Sequence, residues 1–158
     1  VSHGRMAEGM LDSLELIMGS CDRMHTVSLC AGEDFESFRA KVMEAIRQLD
    51  SGDGVLVFVD LYGASPFNAS VYAAARMAQE GISVRVLAGM NLAMLLETAA
   101  MRASSSLKEL VAIAEAAGRD GISEPLVVKE EENGEELLMK KRILVYSAFL
   151  WKNIIARS

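Results

Sequence analysis

Two side chains that could carry out group transfer stand beside a turn that could hold an anion. His3 lies in VSHGRMAEG, where a strand should turn into a helix, and Asp60 closes the apolar run VLVFVD. The first and third strands of a doubly wound sheet are commonly neighbours, so we expect both side chains at one carboxyl edge. A carboxylate that holds the imidazole Nδ1–H fixes the tautomer and leaves Nε2 as a nucleophile.

The turn after Asp60 supplies the second half of this candidate site. Gly63, Ala64 and Ser65 lead into a helix, with Ser65 predicted as N-cap and Pro66 as the first helical residue. Unpaired N–H groups and the positive end of the helix dipole form an anion cradle there, and the Ser65 hydroxyl can add one more donor. A nucleophilic imidazole that faces an anion site indicates phosphoryl transfer.

Each of these residues also has a simpler explanation. A lone histidine near a chain start is more often a surface residue, and Asp60 could merely bond turn N–H groups. A hydrolase triad of Ser65, His3 and Asp60 is a further alternative. It is disfavoured because Ser65 precedes Pro66 at a helix start and does not stand in a G-x-S-x-G elbow. The convergence of the residues on one edge is what favours phosphoryl transfer.

The surrounding elements alternate between strand and helix patterns. Helices are predicted from Met6 to Met18, after Asp34, from Ser65 and after Asn91. A last helix is predicted to begin at a capping box of Ser106 and Glu109 and to end at Gly118 or Gly121. Strands are predicted at Thr26–Cys30, 55–60 and 82–89. Such alternation predicts parallel βαβ units. The fold class is therefore α/β, with a doubly wound, mostly parallel sheet.

Composition narrows the function classes. The 158 residues are 51% hydrophobic and 24% charged, which is typical of a compact domain, and the net charge of −6 argues against nucleic acid as a partner. Cys21 and Cys30 are expected to be free thiols. No leader pattern and no apolar run of about 18 residues occurs, so a cytoplasmic protein is expected. No His, Cys and acid cluster has ligand spacing, so no metal or cofactor is expected.

Three segments, VSHGRMAEGM, DLYGASPFNAS and AGMNLAMLLET, resemble the signature blocks of a known family. It is the enzyme IIA component of the mannose-type (mannose, fructose and sorbose) sugar phosphotransferase system. The resemblance covers roughly residues 1 to 128. It implies a sheet of order 2-1-3-4 and a last antiparallel strand, matching Gly121 to Val127, that is exchanged between the subunits of a homodimer.

The resemblance also implies a phosphotransferase that works through a phosphohistidine. His3 would be phosphorylated on Nε2 by the histidine phosphocarrier protein and would pass the group to a IIB protein, which serves a membrane sugar permease complex. Asp60 would orient His3. The phosphoryl oxygens would be bound by Leu61, Tyr62, Gly63, Ala64 and Ser65. No IIB domain follows in this sequence, so a separate IIB chain is expected.

The sequence departs from the family at both ends. Only Val1 and Ser2 remain of the strand that precedes the histidine in the family, and we expect a truncated start. Residues 129–158 have no recognised counterpart. We divide the chain into a IIA domain, 1–128, and a charged segment with an apolar tail, 129–158, which is either a linker with a packed element or a docking element for another subunit.

Two further functions stay open at this point. A related branch of the family donates its phosphoryl group to dihydroxyacetone kinase, although Gly4 and the GASPFN turn resemble the sugar branch more closely. The other possibility is a non-catalytic regulatory module, in which phosphorylation of His3 only changes partner binding.

Overall fold

In the computed structural model, which describes residues 1–124, strands and helices follow one another in the predicted order, with the last two helices in succession. The strands are β1 (Ser2–His3), β2 (Ser28–Leu29), β3 (Val55–Val59) and β4 (Val84–Ala88). The helices are α1 (Met6–Met18), α2 (Phe35–Leu49), α3 (Ser65–Gln79), α4 (Leu92–Met101) and α5 (Leu107–Asp120). The mixed α/β class is therefore confirmed. β2 is shorter than predicted, with two residues in place of five.

The strands form two small parallel sheets. β1 pairs with β2, with Ser2 opposite Ser28, and β3 pairs with β4 along all five residues. Between the two pairs, the Val1 nitrogen donates to the Phe58 carbonyl at 2.9 Å, so the chain start lies beside β3 without a regular ladder. A continuous sheet of order 2-1-3-4 and the exchange of a last strand in a dimer remain predictions.

Side-chain caps fix the starts of three helices, as the sequence predicted. The caps are Asp34 on α2, Asn91 on α4, and the reciprocal capping box of Ser106 and Glu109 on α5. At the other end of α5 the cap is Gly121, while Gly118, the alternative stop, lies inside the helix. These caps satisfy N–H groups that lack partners within the helix.

β3 is the strand that anchors the site, because one of its faces is buried in the core. Val55, Val57 and Val59 alternate with less buried residues. They belong to a cluster with apolar residues of α2 and α3, namely Phe38, Val42, Ala45, Ile46, Ala69, Ala73 and Met77. Burial of each valine, isoleucine, phenylalanine or methionine side chain of this cluster contributes about 1.5–3 kcal/mol. The residue that follows β3 is therefore carried on a firmly packed element.

Several expectations fall partly or wholly beyond residue 124. Within the predicted strand 121–127, the described residues Gly121 to Glu124 are not in strand conformation, and the rest lies outside the described residues. The boundary at 128 and the segment 129–158 also lie outside them. Within residues 1–124, no helix combines the length and the apolar character that a membrane crossing requires. Cys21 and Cys30 are both free thiols, as expected.

Candidate functional site

The structure brings His3 and Asp60 into direct contact, although 57 residues separate them. β1 ends at His3, and Asp60 directly follows β3. The backbone N–H of His3 donates to Asp60 Oδ2 at 2.8 Å, and the His3 Nδ1 lies 2.8 Å from the same oxygen. The N–H of Leu61 donates to Asp60 Oδ1 at 2.9 Å. Both carboxylate oxygens are thus held, and the imidazole is attached at two points.

The electrostatics of this pair select the imidazole tautomer. Partial burial raises the pKa of Asp60, but hydrogen bonds from the His3 N–H, the His3 ring and the Leu61 N–H outweigh it, so the pKa lies below its usual value. An ionised carboxylate only accepts hydrogen bonds, so Nδ1 must carry the proton that it shares with Asp60. In the neutral ring, the lone pair then resides on Nε2. The His3 side chain is 48% exposed, which leaves it accessible to a partner.

The backbone after His3 turns sharply into α1. Gly4 has φ of +50°, in the left-handed region that glycine adopts without strain. Its N–H donates to the Leu29 carbonyl at 2.9 Å, which continues the contact between β1 and β2. α1 begins two residues later at Met6. Gly4 therefore lets the chain present His3 at the strand end and start a helix immediately.

The turn from Asp60 to α3 has a different cap from the one predicted. Gly63 has φ of +77°, and Ala64, with φ −81° and ψ 178°, is the last extended residue and the N-cap. Ser65 is already helical, so the prediction of Ser65 as N-cap was wrong. Pro66 consequently occupies the second helical position, where a missing N–H is equally harmless.

Not all amides of this turn are available to an anion. The N–H of Leu61 bonds Asp60, and that of Ala64 bonds the Leu61 carbonyl at 3.4 Å. Among residues 1–124, no hydrogen-bond partner is found for the N–H groups of Tyr62, Gly63 and Ser65. Tyr62 and Gly63 lie in the turn just before α3 and Ser65 is its first residue, so these donors are close to the helix N-terminus, where the dipole favours negative charge.

Asn68 is a residue of the site that the sequence interpretation did not single out. Its Nδ2 donates to the Gly63 carbonyl at 3.1 Å and so ties the glycine turn to the first turn of α3. Asparagine is a weak helix former whose side chain often bonds nearby backbone groups. Its position in the first turn of a predicted helix was the signal that could have identified Asn68 as part of the site.

An exposed apolar rim, formed by Leu61 and Tyr62, borders the turn. Leu61 is 60% and Tyr62 78% exposed. The Tyr62 ring packs on Phe67, with ring centroids 4.6 Å apart. Phe67 in turn packs against the core cluster, so the Tyr62 ring has a firm support.

The hydrolase alternative finds no support in the geometry. Within the described residues, no hydrogen bond joins Ser65 to His3, and the ring contact of His3 is with Asp60. A triad requires the serine hydroxyl within hydrogen-bond reach of the imidazole.

Comparison with known proteins identifies the family of the chain. The model of the family EIIA-man, described as the PTS system fructose IIA component, matches residues 1–115. The chain belongs to this mannose-type EIIA family. The match includes His3, the turn after Asp60 and the first four helices, so the candidate site lies wholly within the EIIA-man region.

Relatives and solved structures agree with the family assignment. The mannose-specific EIIAB component of Escherichia coli K12 is 36% identical over 122 residues, which are 77% of this chain and 36% of that protein. This EIIA-man chain thus spans about a third of that relative. The phosphotransferase component EIIA from Streptococcus agalactiae superposes with a TM-score of 0.71 at 28% identity, covering 78% of this chain and 92% of that one. The mannose/sorbose-specific IIA subunit from Enterococcus faecalis superposes with a TM-score of 0.66 at 30% identity, covering 84% of this chain and 94% of that one.

Proposed function

We propose that the chain is a phosphocarrier subunit of a sugar phosphotransferase system. His3 accepts a phosphoryl group from the histidine phosphocarrier protein and passes it to a separate IIB protein. The observation that carries this proposal is the 2.8 Å contact between His3 Nδ1 and Asp60 Oδ2, in a ring that remains 48% exposed. A fixed tautomer with an accessible Nε2 is what a phosphoryl acceptor requires.

In the first transfer, the lone pair of His3 Nε2 attacks the phosphorus of the donor phosphohistidine. The new Nε2–P bond forms as the donor's N–P bond breaks, and the electron pair of that bond returns to the donor imidazole. The proton stays on Nδ1 throughout, hydrogen-bonded to Asp60, and the Asp60 carboxylate stabilises the positive charge that the ring gains. Because phosphoryl transfer needs little covalent assistance, the chain contributes mainly position and electrostatics.

The transferred group then needs donors for its equatorial oxygens. The N–H groups of Tyr62, Gly63 and Ser65 and the start of α3 offer them without a metal ion. Asn68 holds Gly63 in place for this purpose. Leu61 and Ala64 act differently from the original expectation, since their N–H groups already serve Asp60 and the turn itself.

The second transfer reverses the first. A histidine of the IIB protein attacks the phosphorus, the Nε2–P bond of His3 breaks, and the ring recovers its lone pair. Both partners must reach Nε2, which accounts for an open site with an exposed rim of Leu61 and Tyr62. The sugar meets the membrane permease complex and not this subunit, so no residue here selects it.

The direct test is phosphorylation with phosphoenolpyruvate, enzyme I and the histidine phosphocarrier protein. We expect one acid-labile, alkali-stable phosphate on His3 Nε2, followed by its loss to a IIB protein. Absence of a phosphohistidine would refute the proposal. Onward transfer to a dihydroxyacetone kinase alone would reassign the acceptor, and stable labelling with no acceptor at all would favour a regulatory module.

Truncation of the apolar rim tests partner docking. Leu61→Ala should raise the KM for the phosphorylated donor protein by roughly 5- to 10-fold and leave kcat nearly unchanged, since the side-chain atoms beyond Cβ that docking would bury contribute about 1–1.4 kcal/mol. Initial rates against donor concentration measure this. The matched control is Leu16→Ala: Leu16 is 86% exposed near the end of α1, and its replacement should leave KM unchanged. Equal effects of both changes would remove the docking role.

A further inference from the structure

We infer that the buried hydroxyl of Ser2 is a positioning group for His3, an inference that rests on the proposed function. Ser2 has no exposed surface. Its Oγ accepts a hydrogen bond from the N–H of Ala7 at 2.8 Å and donates one to the carbonyl of Gly4 at 3.3 Å. His3, which carries the nucleophile, thus lies within residues 2–7, a short segment that the Ser2 hydroxyl ties together through its bonds to Gly4 and Ala7.

The first of these bonds replaces an ordinary helix cap. The N-cap residue of α1 is Arg5, and its side chain makes no capping bond. Ala7 is the second residue of α1, and its N–H, which has no partner within the helix, bonds Ser2 instead. The start of α1 is therefore held by a strand residue that directly precedes His3.

The second bond restrains the turn that follows the histidine. Gly4 is in the left-handed region and is held by the Leu29 carbonyl on one side and by Ser2 on the other. Ser2 itself is fixed beside β2, because it pairs with Ser28 and its N–H donates at 3.1 Å to the carbonyl of Val27, the residue before that strand. The backbone on both sides of His3 is thus connected to β2 and α1.

This restraint matters because His3 contacts Asp60 at two points. The His3 N–H and Nδ1 both bond Oδ2, so a shift of the backbone at residue 3 must strain or break one of the two bonds. Loss of the Ser2 hydroxyl would leave the buried Ala7 N–H without a partner and free the turn to move. A displacement of about 1 Å at a reacting group can slow a reaction by about 10²-fold.

Ser70 provides a matched control. Like Ser2 it is fully buried, and its hydroxyl makes a good hydrogen bond, to the Pro66 carbonyl at 2.7 Å. That bond stays within α3, between residues four apart, and joins no element that carries His3. Ser2→Ala and Ser70→Ala therefore remove the same group from equally buried positions.

The experiment compares Ser2→Ala, Ser2→Thr and Ser70→Ala. Single-turnover phosphorylation by the donor protein at saturation should fall roughly 10- to 100-fold in Ser2→Ala only, with KM unchanged. Ser2→Thr keeps the hydroxyl in a strand position that suits a β-branched residue, and it should restore the rate. Should Ser2→Ala fail to fold by circular dichroism, Ser2→Cys replaces it, because a thiol is only a weak donor and acceptor.

A readout independent of phosphate separates this inference from the proposed function. The ¹⁵N NMR shifts of the His3 ring report whether Nδ1 carries the proton. We expect Ser2→Ala to lose the wild-type Nδ1–H signature, and Ser70→Ala to keep it. Wild-type ring shifts and rate in folded Ser2→Ala, or equal losses in Ser70→Ala, would overturn the inference. If the wild-type chain accepts no phosphate, the proposed function fails, and the ring shifts still decide whether Ser2 positions His3.

Discussion

Replacement of His3 by alanine should abolish phosphate uptake from the donor protein. Within residues 1–124, His3 is the histidine in contact with Asp60, so labelling should fall to the background level and not merely slow down. The fold should persist, because the His3 side chain is about half exposed and the core lies around β3, α2 and α3. Incorporation of labelled phosphate and circular dichroism of the same sample measure the two effects.

The chain contains a built-in control for this experiment. His25 is the other of its two histidines and is exposed before β2, away from any contact with Asp60. His25→Ala should be labelled at the wild-type rate. A His3→Ala protein that still carries phosphate on Nε2 of a histidine would contradict the assignment of the nucleophile.

Replacement of Asp60 by asparagine should slow phosphoryl transfer by about 10²-fold, the cost expected when a reacting group is poorly oriented. Asparagine has the same shape and can still accept the N–H of His3 or Leu61, so the free energy of unfolding should change little. It lacks the negative charge that keeps the proton on Nδ1 and stabilises the phosphorylated ring. Single-turnover rates and ¹⁵N shifts of the His3 ring test both consequences.

Asp34→Asn is the matched control for Asp60→Asn. Asp34 also accepts backbone N–H, from Ser37 at 2.9 Å, but it caps α2 and has no contact with His3. Asparagine is an equally good N-cap, so neither stability nor rate should change. A wild-type transfer rate in Asp60→Asn would mean that Asp60 does not orient the nucleophile.

The sequence was most informative where structure depends on local chemistry. Asp34, Asn91 and Ser106 were recognisable as N-caps, because a short polar side chain directly before apolar residues at helical spacing is typical of a helix start. The pairing of His3 with Asp60 was also predictable. It follows from a rule about parallel sheets, in which the carboxyl ends of neighbouring strands meet at one edge.

Details that depend on one or two backbone angles were less predictable. Ser65 has the right residue type for an N-cap, but the chain stays extended through Ala64 and becomes helical one residue earlier than the pattern implied. The five-residue pattern Thr26–Cys30 yields a two-residue strand. In both cases the residue types permit either conformation, and the surrounding packing selects one.

The sequence by itself determined the kind of chemistry: an imidazole, a carboxylate and a glycine turn, placed at the ends of predicted strands and the start of a helix. Only the tertiary structure decided how that chemistry is held. The bonds from Ser2 to Gly4 and Ala7, and from Asn68 to Gly63, depend on the direction of single side chains. Such directions are set by the packing of the folded chain, because a hydrogen bond requires its atoms within a few tenths of an ångström, and residue spacing alone does not specify positions that closely.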